Sequence, residues 1–311
     1  MVDIYTSLSL SIVIPTYNRE QVLIDTISFL LAQVKSLKLF DDLIIIDQTA
    51  QHDQLVEAQL ASWHDEGCIK WIKLAKPNLT KAMNEGLFTA KSDIVLFTDD
   101  DIIPSADLLK SHIQAFLTQP DLTAVVGQVL QPKEIPEDIP YEPKGNILYR
   151  FLDFPFRSIN GCWVENVMAG NLSVNRQKAI SIGGFDESFT PPVASRFETE
   201  FAKRVIANGG KIWFEPSASI NHLQAKTGGT RSKGNFLKSV SPIYAVGDYY
   251  YALRHGNGLE RIIYILIRPF RQVRTKFHLT HPWWIPIKLI SEVRAFYQAF
   301  QLLSKPPKLR K

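Results

Sequence analysis

The sequence of 311 residues has little cysteine and no long uninterrupted apolar segment. Its two cysteines, Cys68 and Cys162, are far apart and outside any CxxC pattern, which argues against a disulfide framework and a structural zinc site. Residues 1–15 lack the basic and long apolar regions of a signal peptide, so we expect the protein in a reducing cytoplasm. In the C-terminal part the longest apolar run, residues 262–267, is far shorter than the ~20 residues that a membrane-spanning helix needs.

A glycine-rich phosphate loop is also missing. Residues 11–20, SIVIPTYNRE, read as the first strand and its turn, and they contain no glycine. A Rossmann-type dehydrogenase would carry GxGxxG after this strand, and a nucleotidyltransferase that makes activated sugars would carry a comparable glycine-rich loop. The sequence therefore supports neither class.

The apolar residues that are present make up 45% of the chain, enough for one large domain or a domain with an appendage. Apolar runs at 8–14 and 43–46 are typical of strands buried on both faces. Helical spacing over 20–34 joins them into a right-handed crossover unit. The same patterns predict helices at 52–63 and 79–90 and strands at 68–74 and 93–98. The sequence thus predicts an α/β fold.

The pattern changes after residue 130. Four prolines and four acids predict an irregular surface loop over 131–143, which we expect to border the active site. A helix is predicted over 198–210, where a glycine pair suits its C-terminal end. Residues 211–222 are typical of a strand pair or of a strand and a turn. We expect the α/β body to end near His222.

The charge of the chain is distributed unevenly. Residues 225–311 carry 16 Lys and Arg against 3 acids, whereas the first 224 residues carry 19 basic residues against 28 acids. Helical periodicity is visible over 258–277 and 283–303. Such a basic, aromatic-rich segment suits an anionic partner, and we favour peripheral contact with a membrane over a nucleic acid. The alternatives are a solvated helical face, packing on the catalytic domain and a dimer contact.

Three consecutive acids, Asp99, Asp100 and Asp101, follow the predicted strand 93–98. Open α/β sheets bind their ligands at this end of their strands. Adjacent carboxylates repel one another unless a cation neutralises them, and hard oxygen ligands favour Mg²⁺ or Mn²⁺ together with a diphosphate. The alternative is a solvated acidic turn at the beginning of a helix.

Five segments in order resemble the glycosyltransferase family 2 enzymes, which have the GT-A fold, a Rossmann-like fold for nucleotide-diphospho-sugar transferases. The segments lie within residues 9–222 and read SIVIPTYNRE, IIIDQT, TDDD, AGNLSVNRQKAISIGGFDE and FETEFAKRVIANGGKIWFEPSASINH. The resemblance implies an inverting, metal-dependent transferase that moves a sugar from a UDP- or dTDP-sugar to an acceptor hydroxyl. It also implies cell-surface glycan or polysaccharide synthesis in a bacterium. A nucleotide-sugar or glycan-binding module without turnover is the alternative.

The resemblance implies where the nucleotide binds. The loop residues Pro15, Thr16, Tyr17 and Arg19 would line its pocket, with Arg19 reaching a phosphate. Asp47 would accept a hydrogen bond from the imide of the base, which favours uracil or thymine; its alternative role is a helix cap. The residues after Asp47 depart from the family's usual DDGS pattern, which leaves the geometry of this loop open.

The resemblance also implies the residues that surround the reacting sugar. Asp99 would contact the ribose and the metal, Asp101 would bind the metal, and Asp100 would assist. His222 would complete the metal shell or contact the diphosphate. Asn171, with Gly170, would border the donor sugar and acceptor, and Asp186 would touch sugar hydroxyls or cap a turn.

The general base would come from the helix at 198–210. The family presents an acidic pair here, but Phe197 replaces the first acid, so Glu198 is the predicted base. Glu200 is expected to orient the helix or the base. We therefore predict a GT-A catalytic domain over residues 1–224 and a mainly helical extension over 225–311. The site is expected to be cytoplasmic, with peripheral contact at the inner face of the plasma membrane and with a glycan or lipid-linked acceptor.

Overall fold

The computed structural model describes residues 8–37, 39–119, 121–141, 154–190, 195–229 and 235–310. The first half alternates strands and helices, and each predicted element is present within a few residues of its expected bounds. These elements are β1 (Leu10–Thr16), α1 (Gln21–Val34), β2 (Phe40–Asp47), α2 (Gln54–Asp65), β3 (Lys70–Lys73), α3 (Leu79–Thr89) and β4 (Ile94–Thr98).

These strands run parallel. β1 pairs with β2 on one side and β4 on the other, and β2 pairs with β3. Thr16 lies opposite Asp47 at the ends of β1 and β2, so the turns after these strands meet at one edge. The predicted strand–helix–strand unit with parallel strands is therefore confirmed, and the parallel pairing of β1 with β4 places the loop after β1 beside the acidic triplet after β4.

The second half contributes antiparallel strands that the sequence did not predict. Its elements are β5 (Ile102–Pro104), α4 (Leu108–Thr118), β6 (Leu122–Leu130), β7 (Cys162–Val164), β8 (Asn171–Asn175), α5 (Arg176–Ser181), α6 (Phe197–Ala207) and β9 (Lys211–His222). Among the described residues the strands form one sheet in the order β3-β2-β1-β4-β8-β6-β9-β5, with β7 also paired to β9. β8 runs antiparallel to both β4 and β6, so the sheet is mixed.

Residues 211–222 form one long strand instead of a strand pair. Its register with β6 shifts between Glu215 and Ser219, where Pro216 cannot donate a ladder hydrogen bond. Beyond the shift, His222 pairs with Ile102 of β5. The bulge in β9 therefore places His222 beside the residues that follow β4.

Residues 131–141 consist of turns and irregular backbone, apart from an isolated bridge at Glu137, in agreement with the predicted loop. Residues 142 and 143 of that loop lie outside the described residues. So do residues 1–7, part of the segment that argued against a signal peptide.

The apolar core lies on both faces of the sheet. Ile12 and Ile14 of β1 point to the face covered by α1, whereas Val13 points to the face covered by α3. This alternation explains why an uninterrupted apolar run forms a strand here, because both faces of the central strands are buried.

The C-terminal region contains α7 (Val246–His255), α8 (Gly258–Val273), α9 (Lys276–Thr280) and α10 (Ile285–Leu303). α7 and α10 contribute Tyr249, Tyr250, Ala295 and Ala299 to the same core as the α3 face of the sheet. Among the described residues, none of the helices combines the length and apolarity needed to cross a membrane.

Candidate active site

A cleft opens at the sheet edge where β1, β2 and β4 end. It is lined by the turn after β1, the triplet after β4 and the end of β9. The lining residues are Pro15, Thr16, Tyr17, Arg19, Gln48, Leu79, Asp99, Asp100, Asp101, His222 and Gly229. The structure thus brings together most of the side chains that the sequence predicts for the nucleotide and the metal.

The three carboxylates of the triplet differ in environment. The Asp99 side chain is 45% exposed, whereas those of Asp100 and Asp101 are buried. Asp100 accepts hydrogen bonds from the Thr16 hydroxyl at 2.7 Å and from Nε of Arg19 at 3.0 Å. Burial raises the pKa of Asp100 to about 6, although the Arg19 charge and the Thr16 hydrogen bond oppose this. Asp100 therefore supports the loop after β1, while Asp99 faces the cleft.

Arg19 is a buried counter-ion of the triplet. Its Nη2 atom lies 3.1 Å from Asp101, and its Nη1 atom donates to the carbonyls of Ala225 and Thr227. Four of the five N–H donors of Arg19 are thus directed at the protein, so the predicted contact with a phosphate has to use the second N–H of Nη2 or replace one of these contacts. Three carboxylates against one guanidinium leave a surplus of negative charge, which favours a bound cation.

Asp99, Asp101 and His222 can supply one ligand atom each within 4.8 Å of one another. Nε2 of His222 lies 3.1 Å from Asp101 and 3.6 Å from Asp99. Nδ1 of His222 lies 3.0 Å from Oε1 of Gln131, which can only accept a hydrogen bond. In neutral His222, Nε2 therefore carries the lone pair and faces two carboxylates, an arrangement that a divalent cation would stabilise.

The ionisation state of Asp101 also suits a metal ligand. Burial alone would raise the pKa of Asp101, but the interaction with protonated His222, the hydrogen bond from the Ala225 amide and the Arg19 charge hold it below its ordinary value. A bound cation would take the place of the His222 proton at Nε2. The donor set of two carboxylates and an imidazole fits Mg²⁺ or Mn²⁺.

Glu198 lies at the beginning of α6, next to the strand end that carries Asp99. Its Oε1 atom accepts a hydrogen bond of 2.7 Å from the backbone nitrogen of Ala169. The next residue, Gly170, accepts from the Asp99 amide, and a Cβ atom at Gly170 would lie only 2.2 Å from Oδ2 of Asp99. The backbone of residues 169 and 170 therefore holds the predicted base and the predicted metal ligand side by side.

The partly buried Glu198 has the pKa of a general base. Burial raises the pKa of Glu198 to about 7; the Ala169 hydrogen bond and the Arg196 charge oppose this, and the Asp99 charge adds to it. A base with a pKa near neutrality can both accept and release a proton. Arg196, which precedes α6 in a left-handed conformation with φ of 77°, is paired with Asp248 of α7.

Glu200 and Asp186 have structural partners. Glu200 is buried and forms an ion pair with Arg204 at 2.7 Å, one turn further along α6, and lies 3.3 Å from His255. Asp186 is fully buried, accepts from the Tyr250 hydroxyl at 2.8 Å and caps the turn at Ser188. Of the alternatives for these acids, the contacts favour helix orientation for Glu200 and turn capping for Asp186.

The carboxylate of Asp47 is fully buried at the end of β2. Oδ2 lies 2.9 Å from Nε2 of His52 and 3.0 Å from Nε1 of Trp71, and Oδ1 accepts from the Thr49 amide. Burial would raise the pKa of Asp47, but the hydrogen bonds from His52 and Thr49 lower it below its ordinary value. The predicted contact of Asp47 with the base stays a prediction, and the carboxylate would have to share or exchange these partners to make it.

Asn171 is also fully buried, at the beginning of β8. Its amide nitrogen donates to the carbonyls of Gln128 and Ala218, and Oδ1 lies 2.8 Å from Nε2 of His112. The side chain thus joins three parts of the sheet and α4. Its predicted contact with the donor stays a prediction that these partners do not favour.

Sequence reasoning missed several residues that shape the site. Gln131 orients His222, and its only signal was its place in the loop expected to border the site. The backbone after β9 is the other addition: the Ala225 amide donates to Asp101 at 2.7 Å, and the Gly229 amide donates to the Tyr17 carbonyl at 2.7 Å. Gly228 has a φ of +75°, and a Cβ atom there would lie 2.1 Å from the Asn18 carbonyl, so the glycine pair was the available signal.

Comparison with known proteins identifies the family. The sequence profile described as Glycosyl transferase family 2 matches residues 11–181, more than half of the chain. No curated protein matches the sequence. The structure of GalNAc-T7 with UDP, GalNAc and Mn²⁺ matches with a TM-score of 0.58 at 16% identity, over 80% of this chain and 51% of that chain. This chain therefore corresponds to about half the length of that relative.

A second solved structure matches nearly the whole chain. It is the mannosyltransferase PcManGT from Pyrobaculum calidifontis in complex with GDP-Man and Mn²⁺, with a TM-score of 0.57 and 16% identity. The match covers 96% of this chain and 80% of that chain, including the C-terminal helices. At this identity the likeness shows the fold, which is the predicted GT-A fold followed by C-terminal helices.

Proposed function

This chain belongs to glycosyl transferase family 2, and on that premise we propose that it is an inverting, metal-dependent transferase that moves a sugar from a nucleoside diphosphate to an acceptor hydroxyl. The observation that carries the proposal is that Asp99, Asp101 and His222 can each supply a ligand atom within 4.8 Å of the others. These three residues lie in the cleft that the turn after β1 also lines. We assign catalysis to residues 1–224 and treat 225–311 as the helical extension.

The chain's own residues supply the proton transfer. As the acceptor oxygen attacks the anomeric carbon, its proton passes to Glu198 and the bond from that carbon to the diphosphate oxygen breaks. Attack from the side opposite the leaving diphosphate inverts the anomeric configuration in a single displacement. The hydrogen bond from Ala169 holds the Glu198 carboxylate beside the strand end that carries Asp99, which is where acceptor and donor would meet.

Asp99, Asp101 and His222 would hold Mg²⁺ or Mn²⁺. When bound, the ion would supply positive charge to the leaving diphosphate. GalNAc-T7 with UDP and PcManGT with GDP-Man were both solved with Mn²⁺, which supports a nucleotide and a divalent cation for this site without deciding the base.

For the donor we propose a UDP- or dTDP-sugar, because Asp47 at the end of β2 matches the family's base-binding acid. Pro15, Thr16 and Tyr17 would line the nucleotide pocket. For the acceptor we propose a glycan or lipid-linked hydroxyl in bacterial cell-surface polysaccharide synthesis, at the cytoplasmic face of the plasma membrane. This setting follows from the resemblance to the family.

Nucleotide release from a panel of UDP-, dTDP- and GDP-sugars with Mn²⁺ or Mg²⁺ tests the proposal. The wild type is compared with Asp101→Ala and Glu198→Gln, and the matched control is Glu57→Gln, at an acid of α2 whose side chain is 41% exposed. One donor should be consumed with metal by the wild type and the control, and not by the two site variants. Donor binding without turnover of any donor would favour a nucleotide-sugar-binding module instead.

A further inference from the structure

The two long helices of the C-terminal region have their apolar faces turned outward. On α8 the exposed side chains include Leu259, Ile262, Leu266 and Phe270, which follow one face at helical spacing. The buried side chains of α8 are Tyr264 and Arg268, on the opposite face.

α10 repeats the arrangement. Ile290, Val293, Tyr297 and Phe300 are each more than half exposed. The buried residues of α10 are polar or small, namely Lys288, Ser291, Glu292, Ala295 and Ala299. α8 and α10 pack against each other, so the two outward apolar faces lie on neighbouring helices. We call these eight exposed residues of α8 and α10 the apolar face.

The inward polar residues explain why the helices keep this orientation. Arg268 is buried between Asp248 of α7 and Glu292 of α10, and its Nη2 atom lies 2.6 Å from Asp248. Lys288 lies 3.3 Å from Glu292. Rotating either helix about its axis would bury its apolar side against the protein, but it would also break these buried ion pairs. The fold therefore holds the apolar face outward.

An apolar face of this extent on two adjacent helices marks a contact surface, because single exposed apolar side chains are common whereas contiguous ones are not. The charge around it indicates the kind of surface. Arg271, Arg274, Lys276 and Arg294 are exposed beside it, and the acids of residues 257–310 are Glu260 and the buried Glu292. Trp283, which is 64% exposed, lies between α9 and α10.

We infer that the apolar face of α8 and α10 docks on an anionic lipid bilayer surface. The apolar side chains enter the boundary between headgroups and acyl chains, the flanking cations meet lipid phosphates, and Trp283 lies at the headgroup layer. A second copy of the chain fits less well, because a two-fold contact would bring like charges together across the interface. The lipid contact does not depend on the reaction, but the statement that it brings the site to a lipid-linked acceptor rests on the proposed function.

Flotation of the full-length chain with vesicles tests the inference. Vesicles of phosphatidylcholine alone are compared with vesicles that also contain phosphatidylglycerol. The test variant carries Leu266→Glu and Phe270→Glu, and the matched control carries Leu55→Glu, which places an acid at an 85% exposed leucine on α2. Nucleotide release is measured without vesicles on the same samples, so that failure of the reaction and failure of lipid binding are distinguished.

The wild type and Leu55→Glu should float with the anionic vesicles, and the face variant should bind them at least roughly tenfold more weakly, since its lost apolar burial is worth more than a tenfold step. A second variant, Arg271→Gln with Arg274→Gln, should reduce the preference for anionic vesicles and its salt dependence. Absence of flotation, or equal loss in Leu55→Glu, overturns the inference. A dimer in sedimentation that only the face variant dissociates, without flotation, also overturns it and assigns the face to a second copy.

Discussion

Glu198 accepts a hydrogen bond of 2.7 Å from the backbone nitrogen of Ala169. This contact joins the beginning of α6 to the loop before β8, and through Gly170 to Asp99. It holds Glu198, whose pKa is raised, beside the cleft that the predicted metal ligands line.

Glu198→Gln should lower the transfer rate by on the order of 10²-fold or more, because the acceptor hydroxyl loses its base. The same change should raise the free energy of unfolding at pH 8 by about 1 kcal/mol, because it removes a charge that burial disfavours. Transfer assays and thermal unfolding at pH 8 measure the two effects. Unchanged transfer would remove Glu198 from the mechanism.

Glu200→Gln is the matched change two residues along the same helix, and its effect on stability should have the opposite sign. Burial would raise the pKa of Glu200, but His255 and Arg204 hold it below its ordinary value. Removing the charge leaves Arg204 without its ion pair and should cost about 3 kcal/mol. A gain in stability from Glu200→Gln would contradict the assignment of separate roles to the two acids.

The rate of transfer should rise with pH and level off above about pH 7, because Glu198 acts in its ionised form. The contribution of Glu198 to the free energy of unfolding changes with pH in the opposite direction. The pKa of Glu198 is raised from 4.5 in the unfolded chain to about 7, so the folded state holds the proton more tightly between these values. The contribution of Glu198 to stability therefore falls as pH rises from about 4.5 to about 7. Unfolding of the wild type and Glu198→Gln across this window checks the sign, since their difference should grow with pH.

Gly170→Ala should weaken the binding of Mn²⁺ by roughly tenfold, because the added methyl group would displace the Asp99 carboxylate. Gly258→Ala is the control, since a Cβ atom at Gly258 meets no atom within 4 Å. Calorimetric titration with Mn²⁺ measures both variants. Equal affinity in Gly170→Ala and the wild type would show that Asp99 does not contribute to a metal site.

Asp248→Asn should destabilise the fold by roughly 3 kcal/mol, because Arg196 loses its ion pair with Asp248 and the buried Arg268 keeps only one of its two carboxylates, Glu292. It should also lower activity, since Arg196 directly precedes α6 and its base. The control is Asp107→Asn, whose side chain is 68% exposed and which should change stability by no more than about 0.5 kcal/mol. Chemical denaturation compares the two, and equal stabilities would contradict the buried charge cluster.

Much of the fold could be predicted because burial leaves a local pattern. The strands β1, β2 and β4 are buried on both faces and appear as apolar runs, and α1 shows one apolar stripe. β8 was missed because NLSVN is short and its pairing partners, β4 and β6, are far away in the sequence. The insertion of an antiparallel strand between two other strands leaves no recognisable pattern in the local sequence.

The candidate site was predictable in its residue types but not in its contacts. The acidic triplet and His222 were found because their positions follow strand ends. Arg19 was expected to reach a phosphate, which stays a prediction, but its pairs with Asp100 and Asp101 were not expected, since a motif does not show which carboxylate a guanidinium will neutralise. For the same reason, the contact between Asp47 and His52 could not be predicted from the sequence. The helix α7 was missed because VGDYYYALRH is buried on all sides, including its aspartate, and shows no polar face.

The central claim is that Asp99, Asp101 and His222 hold the divalent cation on which transfer depends. The most direct test measures nucleotide release from the preferred donor while Mn²⁺ is titrated into protein that EDTA has freed of metal, for the wild type and Asp101→Asn. We expect no turnover in EDTA, full recovery with Mn²⁺ in the wild type, and recovery in Asp101→Asn only at much higher Mn²⁺ or not at all. Full turnover in EDTA, or an unchanged Mn²⁺ requirement in Asp101→Asn, would contradict the claim.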